Sequence, residues 1–178
     1  MQDAEGATPP LEQALQIKPT DHEATVLLAD AYTLAGKVGE AGTLLDAAIA
    51  GHKGRRSKEL AALQHRMARV AYAAQDRNVE LAWLNVALDS DMQNGQIASE
   101  LAEVAMELGQ NEIALKALRA ITLMKAPGPM TRAQAFLRQG MLAQHEGDKR
   151  KAVFLAKKAL TEDPNLEEAQ AFLKQIGE

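Results

Sequence analysis

The chain has 178 residues, 47% of them hydrophobic, 25% charged and 3% aromatic, with a formal net charge of −4 and no cysteine. That length can bury roughly 70% of the surface an unfolded chain exposes, so one folded unit is expected, and the acidic balance gives no large positive field for nucleic acid or anionic lipid. Disulfides and thiol chemistry are excluded, and no run of about 18 apolar residues is present to insert into a membrane.

Ala, Leu, Glu, Lys and Gln dominate the composition, and these residues lose little side-chain freedom in a helix. An all-α fold follows. Residues 1–10, which end on Pro9 and Pro10, are expected to be extended or disordered and lack the basic and apolar stretches of a signal peptide. A reducing cytosol is the favoured compartment, and the periplasm is the alternative if a signal lies upstream.

Helices are predicted over 11–18, 22–35, 38–50, 57–74, 77–89, 95–108, 111–125, 131–146, 149–161 and 165–176. Thr20 with Glu23, and Asn165 with Glu168, have capping-box spacing, while Pro19 and Pro164 mark stops. Residues 11–18 read as the second helix of a hairpin whose first is missing. Residues 165–176 read as a terminal helix shielding the last apolar face.

A repeat runs through these helices. A small or apolar residue before a turn recurs at Ala14, Ala48, Ala87, Ile121 and Ala159, in steps of 34, 39, 34 and 38 residues. The two longer steps carry loop chemistry, at 51–56 and at 126–129, so the insertions fall between hairpins. Each hairpin turns at Gly36, Gln75, Gly109 or Gly147, where a left-handed residue closes a helix. Small residues flank the turn, Ala29, Ala68, Ala102 and Gly140 before it and Ala41, Ala114 and Ala152 after it, with Glu80 the exception. Leu45, Leu84, Leu118 and Ala156 follow as apolar contacts of the second helices.

This pattern resembles the tetratricopeptide repeat family. The last hairpin matches best, through Phe136, Gly140, Gly147, Asp148, Ala152, Ala159, Leu160 and Pro164; next is the hairpin from His22, with Leu28, Ala29, Tyr32, Gly36, Ala41 and Ala48. The hairpin over 61–94 is degenerate, with Gln64, Gln75, Glu80 and Met92 where the family has an aromatic, Gly, Ala and Pro. The resemblance implies a right-handed superhelical solenoid of antiparallel hairpins with about ten helices. It comprises a partial repeat over 11–21, repeats near 22–55, 61–94, 95–128 and 133–166, and a capping helix over 165–176, together a domain spanning 11–178.

The resemblance also implies a concave groove lined by the first helix of each hairpin. Its expected partner-binding residues are Asp30, His65, Arg69, Tyr72, Ser99, Glu103, Met106, Leu137 and Met141. Arg69 between Asp30 and Glu103 can equally serve as an ion pair across repeats. The Lys and Asn clamp for a C-terminal carboxylate is missing from positions five and nine, which disfavours chaperone tails. The implied partner is a protein or peptide, and the implied role a scaffold, often one segment of a larger bacterial assembly or envelope protein. A homodimer docked through the open N-terminal face, by Leu11, Leu15 and Ile17, is the alternative.

No catalytic motif, metal site or cofactor is expected. His22, His52, His65 and His145 lack metal-ligand spacing, and no phosphate loop or nucleophile elbow occurs. The basic run from His52 to Lys58 reads as a solvated loop between hairpins. Met67, Met92, Met124 and Met130 read as core filling, with Met106 and Met141 left for a binding surface. Trp83 is expected to pack between repeats.

Overall fold

A computed structural model describes residues 4–54 and 56–177. Ten α-helices and no strand occur among the described residues: α1 (Ala4–Ile17), α2 (His22–Leu34), α3 (Val38–Gly51), α4 (Lys58–Ala73), α5 (Arg77–Ser90), α6 (Gly95–Glu107), α7 (Asn111–Leu123), α8 (Arg132–His145), α9 (Lys149–Glu162) and α10 (Glu167–Gln175). Every helix expected from residue 22 onward is present to within two residues at each end. The fold is an all-α helical repeat.

The first helix departs from expectation. It begins at Ala4 rather than at residue 11, so residues 4–10 are helical, and residues 1–3 of the expected extended segment lie outside the described residues. Pro9 and Pro10 sit inside α1. Their ring nitrogens cannot donate to the carbonyls four residues earlier, yet their fixed φ suits a helix, and α1 gains its support by packing on α2.

The chain divides into two compact units, Met1–Asp91 and Met92–Glu178, where the sequence suggested one. In the first, each helix from α1 to α4 packs on the next, and α2 also meets α4. In the second, α6 to α10 pack in the same consecutive way. Such neighbour-only packing is what a repeat produces, because each hairpin buries its apolar stripe on the adjacent one.

The hairpin turns are four copies of one device. Gly36, Gln75, Gly109 and Gly147 all have positive φ, of 75°, 60°, 67° and 83°. In each, the amide after that residue reaches back to close the helix: Lys37 to the Tyr32 carbonyl at 2.8 Å, Asp76 to Ala71 at 2.9 Å, Gln110 to Ala105 at 2.7 Å and Asp148 to Ala143 at 2.8 Å. This is the Schellman closure, and it satisfies carbonyls that a helix end leaves open.

The starts differ from the expected caps. Asp21, not Thr20, caps α2 by accepting from the Ala24 amide at 3.1 Å. α10 starts after Leu166 without a side-chain cap, so Asn165 and Glu168 form no capping box. The one reciprocal box found among the described helices is Thr131 with Gln134, at the head of α8.

Small residues occupy the helix crossings as expected. Ala29, Ala41, Ala102, Ala114 and Ala152 are fully buried, and so are Leu45, Leu84, Leu118 and Ala156. Burying each leucine stabilises its unit by about 1.5–3 kcal/mol. At Gly140 an added Cβ would stand 3.1 Å from the Ala152 carbonyl oxygen, so α8 and α9 approach closely there. α10 closes the second unit, with Ala169, Phe172, Leu173 and Ile176 buried against residues of α8 and α9.

Candidate functional site

In the first unit, the first helices α2 and α4 bring together a charged and aromatic surface. Asp30 on α2 faces two arginines of α4. Its Oδ2 lies 3.4 Å from Arg66 Nε and 3.3 Å from Arg66 Nη2, and its Oδ1 lies 3.4 Å from Arg69 Nη1. The Asp30 side chain is 23% exposed and that of Arg69 49%. Three residues beyond Arg69, Tyr72 is 63% exposed, and the Arg77 guanidinium lies 5.6 Å from its ring centroid. The pairing expected between Arg69 and Asp30 is therefore present. Arg66 was missing from the expected set, although its i, i+3 spacing to Arg69 places both on one helix face.

In the second unit, Glu103 and Met141 are exposed and Met106 is half-buried. The remaining expected residues are interior, which corrects the list. His65 and Leu137 are buried, and Ser99 is buried with its Oγ donating to the Gly95 carbonyl at 2.7 Å and accepting from the Met130 amide at 3.2 Å. His65, Ser99 and Leu137 all hold the fifth position of their hairpins, whereas Arg69, Glu103 and Met141 sit one helical turn later. Position five turns into the packing between helices, and position nine opens to solvent.

Other expectations resolve simply. Met124 and Met130 are buried, Met67 packs on the first unit's core, and Met92 is 48% exposed, outside the core assigned to it. The basic loop after α3 is exposed at Lys53, Gly54, Arg56 and Lys58; Arg55 lies outside the described residues. Beside that loop Ser57 Oγ lies 3.1 Å from His52 Nε2 but also accepts from the Leu60 amide at 3.0 Å, so it caps α4. Glu59 joins this cap, its carboxyl held below the ordinary range chiefly by its own backbone amide and then by the Ser57 hydroxyl. Among the described residues no three His, Asp or Glu gather in a metal-binding group, and no described helix is long and apolar enough to cross a membrane.

Residues 1–66 match the family model described as tetratricopeptide repeat. No curated protein matches the sequence. Among solved structures, YrrB, described as a tetratricopeptide repeat protein with an unusual peptide-binding site, is similar at 19% identity and a TM-score of 0.63, over 96% of this chain and 84% of that one. MamA is similar at 19% identity and a TM-score of 0.65, over 93% and 86%. BtubC from P. vanneervenii is similar at 17% identity and a TM-score of 0.63, over 98% and 82%. The match to the tetratricopeptide repeat model thus covers residues 1–66, and the described helices share the all-α helical repeat fold of these solved structures.

Proposed function

We propose that the chain is a non-enzymatic interaction scaffold that binds a peptide or protein segment on the exposed faces of its first helices. The observation that carries this reading is the neighbouring pair Arg69 and Tyr72, both well exposed on α4. Arginine and tyrosine are enriched among residues that dominate binding energy, because each offers a large rigid surface with a polar end. The ion pair with Asp30, itself paired with Arg66, holds Arg69 in place, which lowers the ordering cost of binding. Glu103, Met106 and Met141 form the corresponding face of the second unit. The peptide-binding site of YrrB on a similar fold supports the same kind of partner.

Peptides selected from a displayed random library on the intact chain test the proposal. Tyr72→Ala or Arg69→Ala is expected to weaken selected peptides roughly tenfold or more, with helicity unchanged. Equal affinity for these variants and for Met141→Ala would remove the first-helix faces from consideration.

A second reading, self-association through the first unit, has its own support: Ile17 is 86% exposed and Leu34 69% exposed. Exposed apolar side chains of this size are candidates for burial in an interface. Light scattering over a concentration series separates the readings, and a monomer mass at every concentration would exclude this one.

A further inference from the structure

The helix α9 lies outside the face just described and carries an unusual surface. Its buried side is Ala152, Ala156 and Ala159, each fully buried, and Phe154 points the opposite way at 61% exposure. At about 100° per residue, Arg150, Lys151, Lys157 and Lys158 all fall within about 60° of Phe154 on the helix circumference. Four cations therefore bracket one exposed aromatic ring. Lys158 Nζ stands 4.8 Å from the Phe136 ring centroid and 5.7 Å from that of Phe154, so it ties the exposed ring to the buried one.

The acids nearest in sequence are committed elsewhere. Asp148 caps the helix by accepting from the Lys151 amide at 3.0 Å, and Glu162 pairs with Arg132 of α8 at 3.0 Å. Among the described residues no carboxylate pairs with Arg150, Lys151 or Lys158. Lys149 lies apart from this stripe, near Gly177 just after α10.

We propose that this basic stripe of α9 is a second docking surface, for an acidic protein segment that carries an apolar side chain between carboxylates. The apolar group would cover Phe154, and the carboxylates would meet Arg150, Lys151 and Lys158, spread along about 12 Å of helix. Charge complementarity selects the acidic character, and the exposed ring selects the apolar one. An extended polyanion or an anionic membrane fits less well. Either would also meet the rest of a chain whose net charge is −4, whereas a short segment feels only the charges within a Debye length of about 8 Å.

The test is fluorescence anisotropy of the intact chain with a short labelled peptide of alternating Glu-Glu and Leu-Leu pairs. Binding is expected to weaken with added salt and to vanish for the analogue with Gln in place of Glu. Phe154→Ala and Arg150→Glu should each weaken it roughly tenfold, while the same charge reversal at exposed Lys125 should not. Hydrogen exchange on the unaltered chain should show new protection over 150–158 when the peptide is added, a readout that needs no variant. Protection confined to other helices, equal affinity of Phe154→Ala, or tighter binding to phosphatidylserine-containing vesicles than to the peptide would each overturn the proposal.

Discussion

Arg77 Nη1 stands 2.6 Å from Glu80 Oε2, and this contact lets a carboxylate occupy a helix crossing where the other hairpins bury alanine. The Glu80 side chain is only 11% exposed, while that of Arg77, at 31%, still reaches solvent and leans on the Tyr72 ring. Arg77→Ala is expected to cost about 1–3 kcal/mol, because it takes the guanidinium from a buried carboxylate. Glu80→Ala should cost less, since alanine suits the crossing. Denaturant unfolding of both single variants and the double variant checks this; strictly additive costs would show that the pair is not coupled.

Gln75 performs with a side chain what glycine performs in the other three turns, at φ 60°. Left-handed backbone costs a non-glycine residue about 1–2 kcal/mol. Gln75→Gly should therefore raise the thermal midpoint of the first unit, and Gly36→Ala should lower it, with open space at Gly36 leaving backbone strain as the cause. A fall in stability for Gln75→Gly would mean that the glutamine side chain contributes more than the strain removes.

These two residues show what the sequence made legible. The phase of small and turn residues placed nearly every helix and all four turns, because that phase is set by backbone geometry repeated along the chain. The degenerate hairpin kept the phase while its polar residues found partners from elsewhere: Gln64 is buried and accepts from the Ser90 hydroxyl at 2.7 Å, a pairing 26 residues apart. Such pairings depend on which side chains meet across helices, and spacing alone does not specify them. The candidate site was half legible for the same reason. Helical phase placed Arg69, Tyr72 and Met141 on open faces, but the burial of Ser99 depends on the loop that carries Met130, and that of Leu137 on the helices packed around it. The prolines of α1 misled in the opposite direction, since local propensity argued for an extended segment where tertiary packing on α2 keeps a helix.

Tyr32 donates to Glu12 at 2.6 Å and so links α2 to α1. That hydrogen bond first, then burial and the nearby carboxylate charge, raise the Tyr32 hydroxyl from 10.0 to about 12. Because the folded value is the higher one, the stabilising contribution is complete below pH 10 and is lost as pH rises toward 12. Phenolate absorbance should show a component titrating near pH 12 that disappears in Tyr32→Phe, with looser packing of α1 over the same window. Absence of a component near pH 12 that Tyr32→Phe removes would contradict the assignment.

Gly95 offers a case in which helix propensity and packing predict opposite signs. It opens α6, where alanine is ordinarily the better helix former by about 1 kcal/mol, so propensity alone would make Gly95→Ala stabilising. The structure argues otherwise, because a Cβ at Gly95 would fall 1.5 Å from the Pro127 carbonyl oxygen, a backbone atom that cannot swing aside. Relief requires the 124–131 loop to move. That loop buries Met124 and Met130, and its Met130 amide donates to Ser99 Oγ at 3.2 Å, so displacement exposes two apolar side chains and lengthens a buried hydrogen bond. Gly95→Ala is therefore expected to destabilise the second unit by about 1–3 kcal/mol, the usual cost of overpacking. Hydrogen exchange should locate the loss in 95–107 and 124–131. Stability equal to or above that of the parent chain would mean that the loop yields freely and that the close approach of Pro127 to α6 contributes nothing to the fold.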